Sequence, residues 1–166
     1  MRLFVAINLS DTMKDALIHV QNEMFNHGIR GNYTREENLH LTLAFIGEYS
    51  DPHTAMDALS LVSFSPFTLE SEGMGCFGDL WWADMKESAP LNAVVRRIRR
   101  ALAEREIPFD RKRFSPHITL IRKATGEMPG IQPAPVSMTV TNISLLKSVC
   151  GRNCMIYTEL GSIEAQ

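Results

Sequence analysis

Two short segments hold residues suited to proton transfer. His40-Leu41-Thr42-Leu43 and His117-Ile118-Thr119-Leu120 repeat one pattern 77 residues apart, each inside an apolar run. Side chains alternate across a strand, so His40 shares a face with Thr42 and His117 with Thr119, while Leu41, Leu43, Ile118 and Leu120 take the opposite face. An imidazole titrates at about 6.5, so of two facing imidazoles one can accept a proton while the other donates one. The Thr hydroxyls can hydrogen-bond an anionic oxygen. Phosphodiester cleavage fits: a nucleophile attacks phosphorus and the opposite oxygen leaves with a proton. A lone strand histidine is ordinarily a hydrogen-bonded structural residue. It is the duplication, in matching strand context, that favours a shared site.

The surrounding elements can be read from periodicity and breakers. Residues 2–8 form a buried strand. Ser10 or Asp11 caps a helix whose Met13, Leu17, Val20 and Met24 recur every three to four residues, and Gly28 ends it. A polar loop leads to the first His strand, 38–47. Asp51-Pro52 starts a second helix with Met56, Leu59 and Val62 on its apolar face. Pro66 to Leu69 is extended, and turns at Gly73, Gly75 and Gly78 separate it from a strand over Leu80–Met85. Leu91, Val94, Val95, Ile98, Ala101 and Leu102 mark the most regular amphipathic helix. The second His strand comes next, then a Gly/Pro-rich surface loop over 126–135. Two final strands, about 136–149 and 154–160, are joined by a turn at Gly151-Arg152-Asn153. Interleaved helices with consecutive, hairpin-linked strands indicate an α+β protein with antiparallel sheets.

At 166 residues, with 45% apolar and 22% charged residues, the chain suits one globular domain, 1–166, built as two similar lobes. Its net charge of −2 hides an asymmetry. Residues 1–80 carry four Lys/Arg against eleven Asp/Glu, and residues 81–166 carry thirteen against eight, which reads as an acidic first lobe and a basic second one. Within 96–123 ten basic residues face three acidic ones, an excess that attracts phosphates or simply solvates a helix face bearing Arg96, Arg97, Arg99 and Arg100. No apolar run approaches the roughly 18 residues needed to cross a bilayer. Asn8, Ser10 and Asp11 break the opening apolar stretch too early for a secretory leader, so a cytoplasmic protein is expected. Cys76, Cys150 and Cys154 lack metal-ligand spacing. Cys150 and Cys154 could face each other across a hairpin, but in a reducing cytosol buried thiols are the expectation.

With these motifs the chain resembles the 2H phosphoesterase superfamily and, within it, the bacterial and archaeal RNA 2′,3′-cyclic phosphodiesterases, also called 2′-5′ RNA ligases. The likeness spans nearly the whole chain: Arg2–Ile7, Glu37–Glu48, Gly75-Cys76-Phe77 with Leu80-Trp81, Phe114–Arg122, and Leu145, Ser148, Gly151 and Tyr157. It implies a bilobal fold with pseudo-twofold symmetry around a central cleft and helices outside. It implies hydrolysis of a terminal 2′,3′-cyclic phosphate to a 2′-phosphate without metal or nucleotide cofactor, and reversible, ATP-independent joining of RNA ends by a 2′-5′ bond. By this carry-over His40 and His117 are the acid–base pair, Thr42 and Thr119 hold the phosphate, and Arg122 comes after the second motif as a further phosphate contact. The implied partner is RNA with a cyclic phosphate end, such as a tRNA half-molecule, bound by a monomer. The likeness departs at Gly78-Asp79, where the family carries Pro and basic residues, which implies a weaker hold on long RNA.

Strict alternation sets Arg122 opposite His117, so it needs a strand end or a bulge to reach the cleft, and it assigns Phe45 to the core. Trp81 and Trp82 point to opposite faces. Tyr157 either packs or hydrogen-bonds near the cleft. His19, His27 and His53 are surface residues. Three rivals remain: a same-fold RNA-end binding module without turnover, a metal-dependent hydrolase for which neither motif has ligand spacing, and a phosphodiesterase of the same chemistry acting on another cyclic phosphate or a 2′-5′ oligonucleotide.

Overall fold

A computed structural model describes all 166 residues, Met1–Gln166. Nine strands and three helices succeed one another as β1 Arg2–Asn8, α1 Asp11–Asn26, β2 Arg30–Tyr33, β3 His40–Glu48, α2 Pro52–Ser60, β4 Phe67–Phe77, β5 Leu80–Met85, α3 Ala89–Glu104, β6 His117–Thr125, β7 Ser137–Val140, β8 Asn142–Cys150 and β9 Met155–Glu164. They form two antiparallel sheets, one ordered β3-β1-β8-β9 and the other β2-β6-β5-β4-β7. Without the edge strand β2, the two orders correspond: each His strand stands next to the strand that precedes its helix, β3 beside β1 before α1 and β6 beside β5 before α3. This is the α+β, two-sheet arrangement expected from the sequence. No helix is long and apolar enough to cross a membrane.

The helices begin and end where side chains can satisfy their open backbone groups. Ser10 accepts from the Met13 amide, Asp51 from Thr54 and Ser88 from Leu91, and Gly28 takes a left-handed φ of 90° beyond α1. Val5, Ile7, Leu41, Ile118 and Leu120 turn away from the cleft and join α1, α2 and α3 in a continuous apolar core. The opposite face of each sheet is left for the polar members of the repeats.

Five expectations need correction. The two sheets do not coincide with the two halves of the chain: the first combines both chain ends, so the acidic and basic halves are not separate lobes. β4 runs unbroken through Gly73 and Gly75 and turns only at Gly78; Gly73, at φ 75°, sits within a register shift, and Gly75 lies beneath the Trp82 indole. The 136–149 stretch is two strands, β7 and β8, that enter different sheets across Thr141. β2 occupies part of the expected polar loop; its residues are too exposed for a hydrophobic alternation. The cysteines also differ from expectation, since Cys76 and Cys150 are exposed, Cys154 is half-buried and all three are free thiols.

Candidate active site

β3 and β6 touch where the two sheets approach, which brings both repeats to one cleft of about 630 Å³. His40, Thr42, His117, Thr119 and Arg122 all line it. The two imidazoles are held alike. His40 Nδ1 lies 2.7 Å from the Asn38 carbonyl oxygen and His117 Nδ1 lies 2.8 Å from that of Ser115, in each case two residues upstream. A carbonyl only accepts, so each Nδ1 carries the proton and each neutral ring leaves Nε2 as its basic atom. His40 Nε2 is 2.8 Å from the Thr42 hydroxyl.

A bulge at the same place in both repeats redirects the side chains beyond each threonine. Val5 pairs with Ala44 and Ala6 with Thr42, leaving Leu43 unpaired; Trp81 pairs with Ile121 and Trp82 with Thr119, leaving Leu120 unpaired. Each extra residue reverses the alternation beyond it. Arg122 therefore returns to the His117 face, as the resemblance required. Phe45 returns to the His40 face, 44% exposed and in the cleft, and the core position expected for it is overturned. Phe45 and Arg122 are themselves 77 residues apart, so the duplication held the signal for Phe45. Gln21, buried on α1, donates to the carbonyls of Leu120 and Thr34 and pins the second bulge.

The rings are braced by different neighbours. Phe4 lies 5.0 Å from His40 and stacks on Phe45 at 5.9 Å, and Tyr157 meets His40 edge-on at 5.2 Å. Trp82 flanks His117 at 5.2 Å, with its indole N–H donating to Asp84 at 2.7 Å. Trp81 is buried in the core, as the opposed orientation of the pair predicted. Tyr157 packs rather than hydrogen-bonds, and burial pushes its phenol above 10 against the pull of Arg122 and Arg2. Burial also lowers the His40 pKa below 6.5; the Asn38 carbonyl opposes this, and the charges of Arg122 and His117 add to it.

Asn38 is a site residue that motif reading passed over. It is 8% exposed, and its amide donates to the Met155 carbonyl at 2.8 Å, so the carbonyl that orients His40 is tied to β9. Of the arginines on α3 only Arg99 reaches the cleft, beside Lys112 and Arg113; Arg96, Arg97 and Arg100 do not line it. His19, His27 and His53 are exposed elsewhere. No three His, Cys, Asp or Glu side chains gather as a metal-ligand set.

Comparison with known proteins agrees with this fold. A Geobacillus stearothermophilus RNA 2′,3′-cyclic phosphodiesterase is 30% identical over 153 residues, covering 84% of this chain and 49% of that protein, so the chain spans about half of that relative. The Escherichia coli RNA 2′,3′-cyclic phosphodiesterase is 32% identical over 166 residues, covering 96% of this chain and 93% of that one. The crystal structure of E. coli LigT complexed with 3′-AMP superposes with a TM-score of 0.88 at 28% identity, covering 99% of this chain and 97% of that one. The pattern of the 2′-5′ RNA ligase superfamily matches residues 17–151, and the chain belongs to that superfamily.

Proposed function

We propose that the chain hydrolyses the 2′,3′-cyclic phosphate at an RNA end to a 2′-phosphate, with His40 and His117 as the acid–base pair. The observation that carries this reading is the matched pair of imidazoles in one cleft, each with Nδ1 on a carbonyl, which makes Nε2 the basic atom of the ring. One histidine takes a proton from water as the water oxygen bonds to phosphorus. The P–O3′ bond breaks in line, and the other histidine delivers its proton to O3′. Thr42, Thr119 and Arg122 hold the non-bridging oxygens as charge develops on them. When the 5′-hydroxyl of a second RNA replaces water, the same displacement forms a 2′-5′ diester. Diester is exchanged for diester, so that joining is reversible and needs no ATP. The relatives' names support the substrate class. Cleaved tRNA halves are the cellular ends this activity would meet, in the cytoplasm, with the chain acting as a monomer.

The test is incubation with a short RNA ending in a 2′,3′-cyclic phosphate, chelator present, with the product identified. A 2′-phosphate is expected; no turnover overturns the reading, and a 3′-phosphate reverses the leaving oxygen. His40→Ala and His117→Ala should each lower kcat by about 100-fold or more in a folded protein. Activity retained by either variant removes that histidine from the mechanism.

A further inference from the structure

The cleft holds more positive charge than one cyclic phosphate needs. Arg2, Arg99, Lys112, Arg113 and Arg122 line it, and Asp110 is the one carboxylate among the lining residues. None of the five cations lies in an ion pair with a carboxylate. A cyclic phosphate carries a single negative charge. Five cations gathered in a protein of net charge −2 repel one another unless a ligand brings several anionic groups.

Four of the five cations fall into two groups. Arg122 belongs with the His–Thr pairs. Lys112 and Arg113 lie past Phe45 on a turn tied down at three points, with Arg99 of α3 against it. The Asp110 amide donates to the Phe45 carbonyl at 2.8 Å, the Asp110 carboxylate accepts from the Lys112 amide at 3.0 Å, and Arg99 Nη2 donates to the Lys112 carbonyl at 2.8 Å. Arg99 Nε is buried without a hydrogen-bond partner. A buried donor of this kind is ordinarily satisfied, so Arg99 as it stands leaves hydrogen-bonding capacity unused. The bulge leaves the partners of Thr42 and Phe45, Ala6 and Phe4, two residues apart on β1, so at about 3.3 Å per residue roughly 7 Å separates them, room for one nucleotide between two phosphate positions. Phe45, exposed and stacked on Phe4, offers that nucleotide a flat apolar surface.

We infer that Arg99, Lys112 and Arg113 form a second phosphate subsite, which takes the phosphodiester on the 5′ side of the terminal nucleotide. This rests on the cyclic phosphodiesterase reading and adds to it a preference for ends that carry an upstream phosphate.

Three substrates separate the contributions: adenosine 2′,3′-cyclic phosphate, the same compound with a 5′-phosphate, and a dinucleotide with the cyclic end. The 5′-phosphorylated compound and the dinucleotide should both show a KM about tenfold below that of the first, the scale of one charged hydrogen bond. In the Lys112→Ala/Arg113→Ala variant, whose altered side chains are exposed, that advantage should be lost while kcat/KM for the unphosphorylated compound stays within about twofold. Equal losses on all three substrates overturn the subsite. So does a gain for the dinucleotide that the 5′-phosphate alone does not reproduce, since the upstream nucleoside is then what binds. Turnover of the unphosphorylated compound with no preference among the three overturns the subsite and leaves the phosphodiesterase reading standing. No turnover of any substrate overturns that reading as well.

Discussion

His40 is the residue most shaped by its surroundings. Burial favours its neutral form, and the cationic guanidinium of Arg122 pushes the same way. Removing that cation makes the imidazolium easier to form. Arg122→Gln should therefore raise the His40 pKa towards 6.5 without reaching it, because burial is the larger cause and remains. An NMR titration of the His40 ring measures this directly, and whichever limb of the kcat/KM profile His40 governs should move to higher pH with it. A shift to lower pH would contradict the assignment. Asn38 acts on the same ring through geometry. Asn38→Ala frees the loop from Met155, weakens the carbonyl contact that supports the imidazolium, and so lowers the His40 pKa further. We expect kcat to fall about tenfold with little change in KM, since misplacing a proton-transfer group costs the chemical step more than binding. A change in KM alone would make Asn38 a substrate contact instead.

At the scale of elements, the paired bulges decide which side chains reach the cleft. Leu43 and Leu120 each occupy an extra position, and one residue of slip is enough to turn Phe45 and Arg122 inward. The β4–β5 hairpin contributes differently. A Cβ on Gly75 would stand 2.6 Å from Trp82 Nε1, a ring already held by Asp84 and packed beside His117. Gly75→Ala should destabilise the fold by about 1–3 kcal/mol, the usual cost of forcing a methyl into filled space. It should also lower kcat by displacing the support of His117. Urea unfolding read beside turnover tests both effects. An unchanged midpoint would mean that the indole relaxes at no cost.

At the scale of the molecule, total charge is a poor guide to the surface a ligand meets. The protein is acidic overall, yet its cleft gathers five cations against one carboxylate. Binding of an RNA oligomer should therefore weaken steeply with salt despite the negative net charge, because each phosphate contact releases condensed counterions. A titration of Kd against salt concentration checks this, and a cyclic mononucleotide should show the shallower slope. Equal slopes would place the binding charge outside the cleft. The α3 face illustrates the point, since its arginines look alike in sequence and only Arg99 turns into the cleft.

Local chemistry was legible in the sequence. The spacing of His40, Thr42, His117 and Thr119, together with strand alternation, placed imidazole and hydroxyl on one face of each strand. The helices around Met13, Leu59 and Ile98 could be read from period and caps, because both depend on residues a few positions apart. What tertiary structure alone decided depends on partners far along the chain. Bulges are defined by the neighbouring strand's register, so Phe45 could not be moved out of the core from its own segment. β7 and β8 run nearly continuously in sequence and part only because different sheets receive them. The tie from Asn38 to Met155 joins groups 117 residues apart, and the cationic cleft arises from distant segments brought together by the two sheets. The sequence determined which groups could transfer a proton. Packing determined which of the others stand close enough to orient them and to meet the substrate's charge, because distance in space is set by the pairing of sheets and not by position along the chain.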